Sequence, residues 1–198
     1  YRKEKHKKKG LKTMKIKEYE TSQEMYLDIP KGGVGAEIGV CKGMNAINLW
    51  HITKPRKMYL CDAWRERHPN ACLIEDSALW EDDHEDLVKS FFREEVKNGL
   101  VETHKEWGGN FLYSLDNNLL DWVYLDACHD YKPVSIELDN SLHKVKKGGL
   151  IMGHDYAPNA QVWKAGVIRA VNEKIQEGRI RMIGITIERW PSFMCEVL

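Results

Sequence analysis

The sequence has no C-x-x-C pair. Its five cysteines, Cys41, Cys61, Cys72, Cys128 and Cys195, are odd in number and widely spaced. That pattern excludes a disulfide framework and a cysteine zinc site, and it favours a reducing, cytoplasmic compartment. No apolar run approaches the roughly 18–20 residues needed to span a bilayer, and no signal peptide is visible. There is no net charge, because Lys+Arg and Asp+Glu both total 30. A dedicated nucleic-acid binder would need a basic excess for its phosphate contacts, so nucleic acid is not the expected partner. Internal repeats are absent as well. What is present is an ordinary globular balance, 42% hydrophobic and 30% charged, over 198 residues. That is one domain's worth of chain, and at this length folding buries about 70% of the unfolded surface.

The charge is unevenly placed. Residues 1–20 hold nine Lys/Arg against three acids, which leaves the remainder acidic. Tyr1–Gly10 has no apolar period, so residues 1–20 read as a basic tail or linker and 21–198 as a single folded domain. Contact of this stretch with anionic lipid or nucleic acid is the alternative. Because the chain opens on Tyr1 rather than Met, the tail is read as a linker from upstream domains of a larger polypeptide.

From about residue 34, short apolar runs alternate with helix-length segments. Gly33–Val40 reads as the first buried strand, followed by a turn at Cys41–Gly43 and a helix from Met44 to about Ile52. Lys57–Cys61, Leu100–His104, Asp121–Leu125 and Leu150–Met152 are the next strands. Helices are expected over 73–98 and 161–176. Val134, Leu138, Leu142 and Val145 give another helix, ended by Gly148-Gly149. Two closing strands, Arg179–Ile187 and Phe193–Val197, break the alternation. The fold class is therefore α/β: a doubly wound, mostly parallel, seven-stranded Rossmann-like sheet with one antiparallel strand near the C-terminus.

Glu37-x-Gly39-x-x-x-Gly43 stands where strand one meets its helix, a place that needs a sharp turn and close ligand approach. The string is not a Walker P-loop, since Met44 follows Gly43. It is not the dinucleotide fingerprint either, since Ile38 stands where the third glycine belongs. Asp62 ends strand two, 23 residues after Gly39. An acid about 20 residues past such a turn accepts hydrogen bonds from a ribose diol. An exposed loop aspartate is the plainer alternative; the pairing of the two motifs favours a nucleoside ligand.

Asp126, His129 and Asp130 follow strand four, and His154 and Asp155 follow strand five. Ligands of open parallel sheets bind outside the carboxyl ends of the strands, so Asp126 and Asp155 are expected to face one crevice. Converging carboxylates repel unless a cation or proton intervenes, and their hard oxygens suit Mg²⁺, Mn²⁺ or Ca²⁺ rather than zinc. The alternative is that one caps a helix or pairs with a lysine.

Together, E-x-G-x-x-x-G, Asp62 and the terminal antiparallel strand resemble a class I S-adenosylmethionine-dependent methyltransferase. Leu120–Tyr156, LDWVYLDACHDYKPVSIELDNSLHKVKKGGLIMGHDY, is similar to the small metal-dependent O-methyltransferases that act on sugar hydroxyls of macrolides and glycans. The resemblance implies S-adenosylmethionine and a divalent metal (Mg or Mn) as cofactors. It implies Asp126 and Asp155 as metal ligands, with His154 beside them, and His129 as general base. His154 departs from the commoner acid at its place, which tilts the metal toward Mn²⁺. Glu37, Gly39, Gly43 and Asp62 would hold the donor. Trp64 or Trp107 would stack on adenine, with Glu106 at the adenine edge.

The implied function is O-methylation of a hydroxyl on a sugar or glycan acceptor. Two alternatives stay open: a nicotinamide-dependent oxidoreductase, against which the missing third glycine counts, and a non-catalytic methyltransferase-like binding module of a larger glycan-processing protein.

Overall fold

The computed structural model describes residues 15–64, 84–157 and 166–198. Its centre is β2 (Val34–Ile38), buried along its whole length. β2 pairs in parallel with β3 (Lys57–Asp62) on one side and β5 (Leu120–Leu125) on the other. Both faces of these strands are covered, so they read as nearly continuous apolar runs rather than as alternating patterns.

The sheet continues outward through β4 (Val101–Lys105) beyond β3 and β6 (Val145–Gly153) beyond β5. Next to β6 lies β8 (Phe193–Val197), then β7 (Ile180–Thr186), then β1 (Lys17–Tyr19), giving the order β1-β7-β8-β6-β5-β2-β3-β4. Eight strands replace the expected seven. The added strand, β1, comes from the stretch read as tail: it pairs Lys17–Tyr19 in parallel with Gly184–Thr186. With only three residues and one buried side chain, it carries too little apolar pattern to be seen in sequence. The sheet contains two antiparallel pairings, β6–β8 and β7–β8, both made by a strand lying third from the edge.

One face of the sheet packs α5 (Gly108–Ser114), α6 (Tyr131–Lys144) and α7 (Val167–Gln176), through Phe111, Leu138 and Val171. The other packs α1 (Ser22–Tyr26), α2 (Met44–Thr53) and α3 (Glu85–Phe91), through Met25, Leu49 and Val88. Strand residues alternate between the two cores: Val123 and Leu125 enter the first, Trp122 and Tyr124 the second.

Three expectations shift. The helix expected to run to Gly148-Gly149 ends at Lys144, because Val145 turns extended and begins β6. Lys144 Nζ donates to Leu115 O and Asn117 Oδ1, fixing that end, and both glycines lie in β6 where its pairing with β5 shifts register. Within 73–98 the described part is two short helices, α3 and α4 (Arg93–Lys97), separated at Phe92, while 73–83 lies outside the described residues. Of the helix expected at 161–176, α7 covers 167–176, and 161–165 lies outside the described residues.

Candidate functional site

The carboxyl ends of β2, β3 and β5 open into a cavity of about 270 Å³. Gly39, Asp62, Trp107, Asp126 and His129 are among its walls. Its floor depends on Gly39, whose φ is +89° and whose Cβ, were there one, would lie 2.1 Å from Asp126 O. Gly39 N–H donates to Cys61 O and Asp126 N–H to Ile38 O, so the loops leaving the three strands are laced together at this point. Gly43 caps α2 with a φ of +81°, a left-handed position that favours glycine.

Asp62 lies at the turn. Its Oδ2 accepts from Cys41 N–H at 2.8 Å and its Oδ1 from Trp64 N–H at 2.6 Å. Burial raises its pKa, and the backbone donors of Cys41, Trp64 and Val40 pull against that rise. Glu37 is buried beneath the turn and takes one hydrogen bond, from Asn45 Nδ2 to Oε1 at 2.9 Å, while Oε2 is buried without a partner. Burial drives this carboxyl well above its usual range; the Asn45 bond opposes the rise, and the Asp126 and Asp62 charges add to it.

Both tryptophans line the cavity. Trp64 is almost fully buried with its indole N–H on Cys41 O, whereas Trp107 is half-buried ahead of α5. Glu106 is fixed by its backbone, donating from N to Asp62 O and accepting the Cys61 thiol, but its side chain is not part of the wall. Glu37 and Gly43 also stand behind the wall rather than in it.

At the mouth of the cavity the ends of β5 and β6 bring four side chains together. His129 Nε2 is 3.4 Å from Asp126 Oδ1, and its Nδ1 is 3.1 Å from Asp155 Oδ2. His154 Nδ1 lies 3.3 Å from Asp155 Oδ1 and 3.6 Å from Asp126 Oδ1. Backbone bonds set these positions: His154 N–H donates to Leu125 O, Gly166 N–H to His129 O, and Tyr156 N–H to Pro191 O. Asp155 adopts a φ of +58°, a conformation that aspartate tolerates better than most residues.

Burial opposes charge on both histidines. The Asp126 bond and the Asp155 and Asp126 charges nevertheless raise the pKa of His129, and the Asp155 bond with the same two carboxylates raises that of His154. Burial works against Asp155 too, yet the two histidines hold it below the ordinary carboxylate value. Ligand atoms of Asp126, His154 and Asp155 all lie within 4.8 Å of one another, and no other such group of three occurs among the described residues. Two hard oxygens and an imidazole nitrogen converging from adjacent strand ends suit a divalent cation of the Mn²⁺ or Mg²⁺ kind.

No motif in the sequence points to Glu137. It sits on the buried face of α6, and its carboxyl is pushed by burial to about 8, with the His129 charge lowering it and Asp126 raising it. The folded protein therefore keeps a proton there that the unfolded chain releases above the ordinary Glu value of about 4.5. Between those two values the native state binds more protons, so stability falls as pH rises, by about 1.4 kcal/mol per pH unit at most. In urea titrations from pH 5 to pH 8, Glu137→Gln is expected to flatten this part of the profile; an unchanged slope would show that the group is ionised in the fold.

A family model described as a methyltransferase domain matches residues 36–156, from β2 through the end of β6. The chain belongs to this methyltransferase family. The O-methyltransferase from Bacillus cereus in complex with SAH is 17% identical with a TM-score of 0.62, covering 89% of this chain and 78% of that one. Geranyl diphosphate C-methyltransferase from Streptomyces coelicolor, solved with Mg²⁺, geranyl diphosphate and S-adenosyl-L-homocysteine, is 8% identical with a TM-score of 0.61, covering 88% and 77%. An rRNA methylase from Streptococcus thermophilus is 11% identical with a TM-score of 0.57, covering 89% and 94%. Among curated proteins none matches the sequence. At these identities the likeness establishes a shared fold, and acceptors as different as RNA and a prenyl diphosphate are built on it. No described helix of this methyltransferase domain is long and apolar enough to cross a membrane.

Proposed function

We propose that this methyltransferase domain is an S-adenosylmethionine-dependent O-methyltransferase, acting with a divalent cation on a hydroxyl of a sugar or glycan. One observation carries the reading: Asp126 and His129 belong at once to the wall of the cavity and to the acid–histidine cluster at its mouth. A methyl donor in the cavity and an acceptor at the cluster would meet across these two side chains. A nicotinamide cofactor would not call for such a cluster, and the sequence lacks its third glycine.

In this mechanism Asp62 and the Gly39 turn receive the adenosyl part of the donor, and Trp107 offers a ring beside it. Asp126 and Asp155, with His154, would hold the cation, which when bound stabilises negative charge developing on the acceptor oxygens. Holding the acceptor oxygen, methyl carbon and sulfur in line contributes up to ~7–11 kcal/mol. The oxygen attacks the methyl carbon as the carbon–sulfur bond breaks, and the hydroxyl proton passes to His129. With a cation held by Asp126 and Asp155, their charge would support the His129 proton less, which would favour the basic imidazole. A vicinal diol, as sugars offer, presents two oxygens to the cluster and suits this arrangement.

Tritium transfer from labelled donor to a carbohydrate panel, with and without EDTA, tests the proposal. Labelled, EDTA-sensitive product is expected; donor binding without transfer to any hydroxyl acceptor would overturn it. His129→Ala is expected to lower kcat by roughly 10²–10⁴-fold, the usual contribution of a positioned base, with affinity for S-adenosylhomocysteine little changed. Retention of wild-type kcat would remove His129 from the reaction.

A further inference from the structure

The unpartnered oxygen of Glu37 ends a chain of hydrogen bonds, joined by one aromatic contact, that crosses the molecule. Asn45 Nδ2 donates to Glu37 Oε1, and Asn45 Oδ1 accepts the Tyr26 hydroxyl at 2.7 Å. Because Asn45 uses one end of its amide on each neighbour, its orientation is fixed. The Tyr26 ring packs edge-on against that of Tyr124, with centroids 5.6 Å apart. Tyr124 OH lies 2.9 Å from Ser192 Oγ, and Ser192 Oγ lies 3.0 Å from Ser22 Oγ. Ser22 donates its hydroxyl and its backbone N–H to Glu188 Oε2, at 2.7 and 3.0 Å. The charge of Glu188 in turn reaches His154 in the acid–histidine cluster.

Two links, Ser22 and Tyr26, belong to α1, the short helix after β1. At five residues α1 is too short to be stable alone, so it holds its place through the burial of Met25 and Tyr26 and through this chain. The far end of the chain is a carboxylate with one oxygen paired and one bare, in a residue only 1% exposed. A buried polar atom without a partner is costly and marks a place that a ligand or water completes.

We propose that Asn45 and Tyr26 are positioning residues of the donor site, fixing one oxygen of Glu37 so that the other, behind the Gly39 turn, meets the bound cofactor through a bridging water, and so coupling cofactor binding to the docking of β1 and α1. The inference rests on the adenosyl-donor reading above. It assigns the N-terminal segment, which lies outside the matched methyltransferase region, a part in forming the site. Coupling of this kind is reciprocal: a ligand that binds better when α1 is docked also holds α1 in place.

A double-mutant cycle read by calorimetry with S-adenosylhomocysteine tests it on the intact chain. Asn45→Ala is expected to weaken binding about tenfold, the effect of losing one hydrogen bond to a buried carboxyl group. In a Glu37→Gln background the same substitution is expected to change affinity less than twofold, because the group it positions has been altered. Equal losses in both backgrounds would reduce Asn45 to a packing role and overturn the proposal. Hydrogen exchange supplies the second readout. Amides of residues 22–27 are expected to slow at least threefold on adding S-adenosylhomocysteine to the wild type, and Tyr26→Phe is expected to lose that protection. Exchange unaffected by ligand in a wild type that binds it would refute the coupling. A wild type that does not bind S-adenosylhomocysteine would instead refute the donor reading beneath it.

Discussion

Asp126→Asn is expected to reduce kcat by ~10³-fold or more while affinity for S-adenosylhomocysteine changes less than about threefold. Asn keeps the shape of Asp126 and spares its backbone N–H bond to Ile38 O, so the floor of the cavity should persist. What disappears is one of the two carboxylates in the three-residue cluster and the anion beside His129 Nε2. A cation that stabilises a developing alkoxide contributes several kcal/mol, and 1.36 kcal/mol is a factor of ten in rate, so losing its anchor has an effect of this size. Added Mn²⁺ should restore part of the rate if the loss is one of metal affinity. Single-turnover methyl transfer with saturating donor separates the chemical step from binding. Wild-type kcat in this variant would remove Asp126 from the chemistry.

The largest expected effect on the fold comes from Gly39→Ala. The new Cβ would stand 2.1 Å from Asp126 O and 2.5 Å from Ala127 N, both backbone atoms that cannot rotate away, at a φ of +89°. Overlap with backbone and left-handed strain act together. The expected cost is about 3 kcal/mol or more, at the severe end for single substitutions, with loss of donor binding even where the protein stays folded. Thermal melting with and without S-adenosylhomocysteine reads both: a large fall in Tm and no ligand-induced rise. A variant that melts near the wild type and still gains stability from ligand would show that this turn is not the donor's seat.

These two positions were also the most legible in the sequence. A glycine at a strand-to-helix turn and an acid at a strand end are local signals, and the parallel sheet places both at the same edge of the molecule. The central strands were legible for the same reason, since runs such as Asp121–Leu125 are buried on both faces. The outer parts were not. β1 spends three residues on one buried side chain, and α5 begins Gly-Gly-Asn, among the poorer helix formers, so packing against β3 and α6 decides its conformation. α1 did carry a signal, Thr21 three residues before Glu24. The Thr21 hydroxyl accepts Glu24 N–H and the Glu24 carboxylate accepts Glu20 N–H, but the surrounding basic stretch obscured it.

Within the site, sequence order could name Asp126, His129, His154 and Asp155, but it could not show His129 lying between two carboxylates. That depends on the register of β5 against β6. Nor could it separate Trp64 from Trp107. Both follow strand ends and both line the cavity, yet only three-dimensional packing buries the first and leaves the second half-exposed. Glu137 lies about two helix turns past Asp130 and Asn45 two residues past Gly43, outside the motifs themselves, and their surroundings arise from what the helices press against.

The left-handed backbone at Asp155 narrows how this site can vary. Aspartate, asparagine and glycine accept that conformation readily, and glutamate accepts it poorly, so the acid at 155 cannot be lengthened without moving the chain. His154, immediately before it, has no positive φ and carries no such restriction. Chemical tuning of the cluster therefore falls to position 154, where exchanging imidazole for carboxylate would shift the preferred ion from softer to harder while the scaffold stays still.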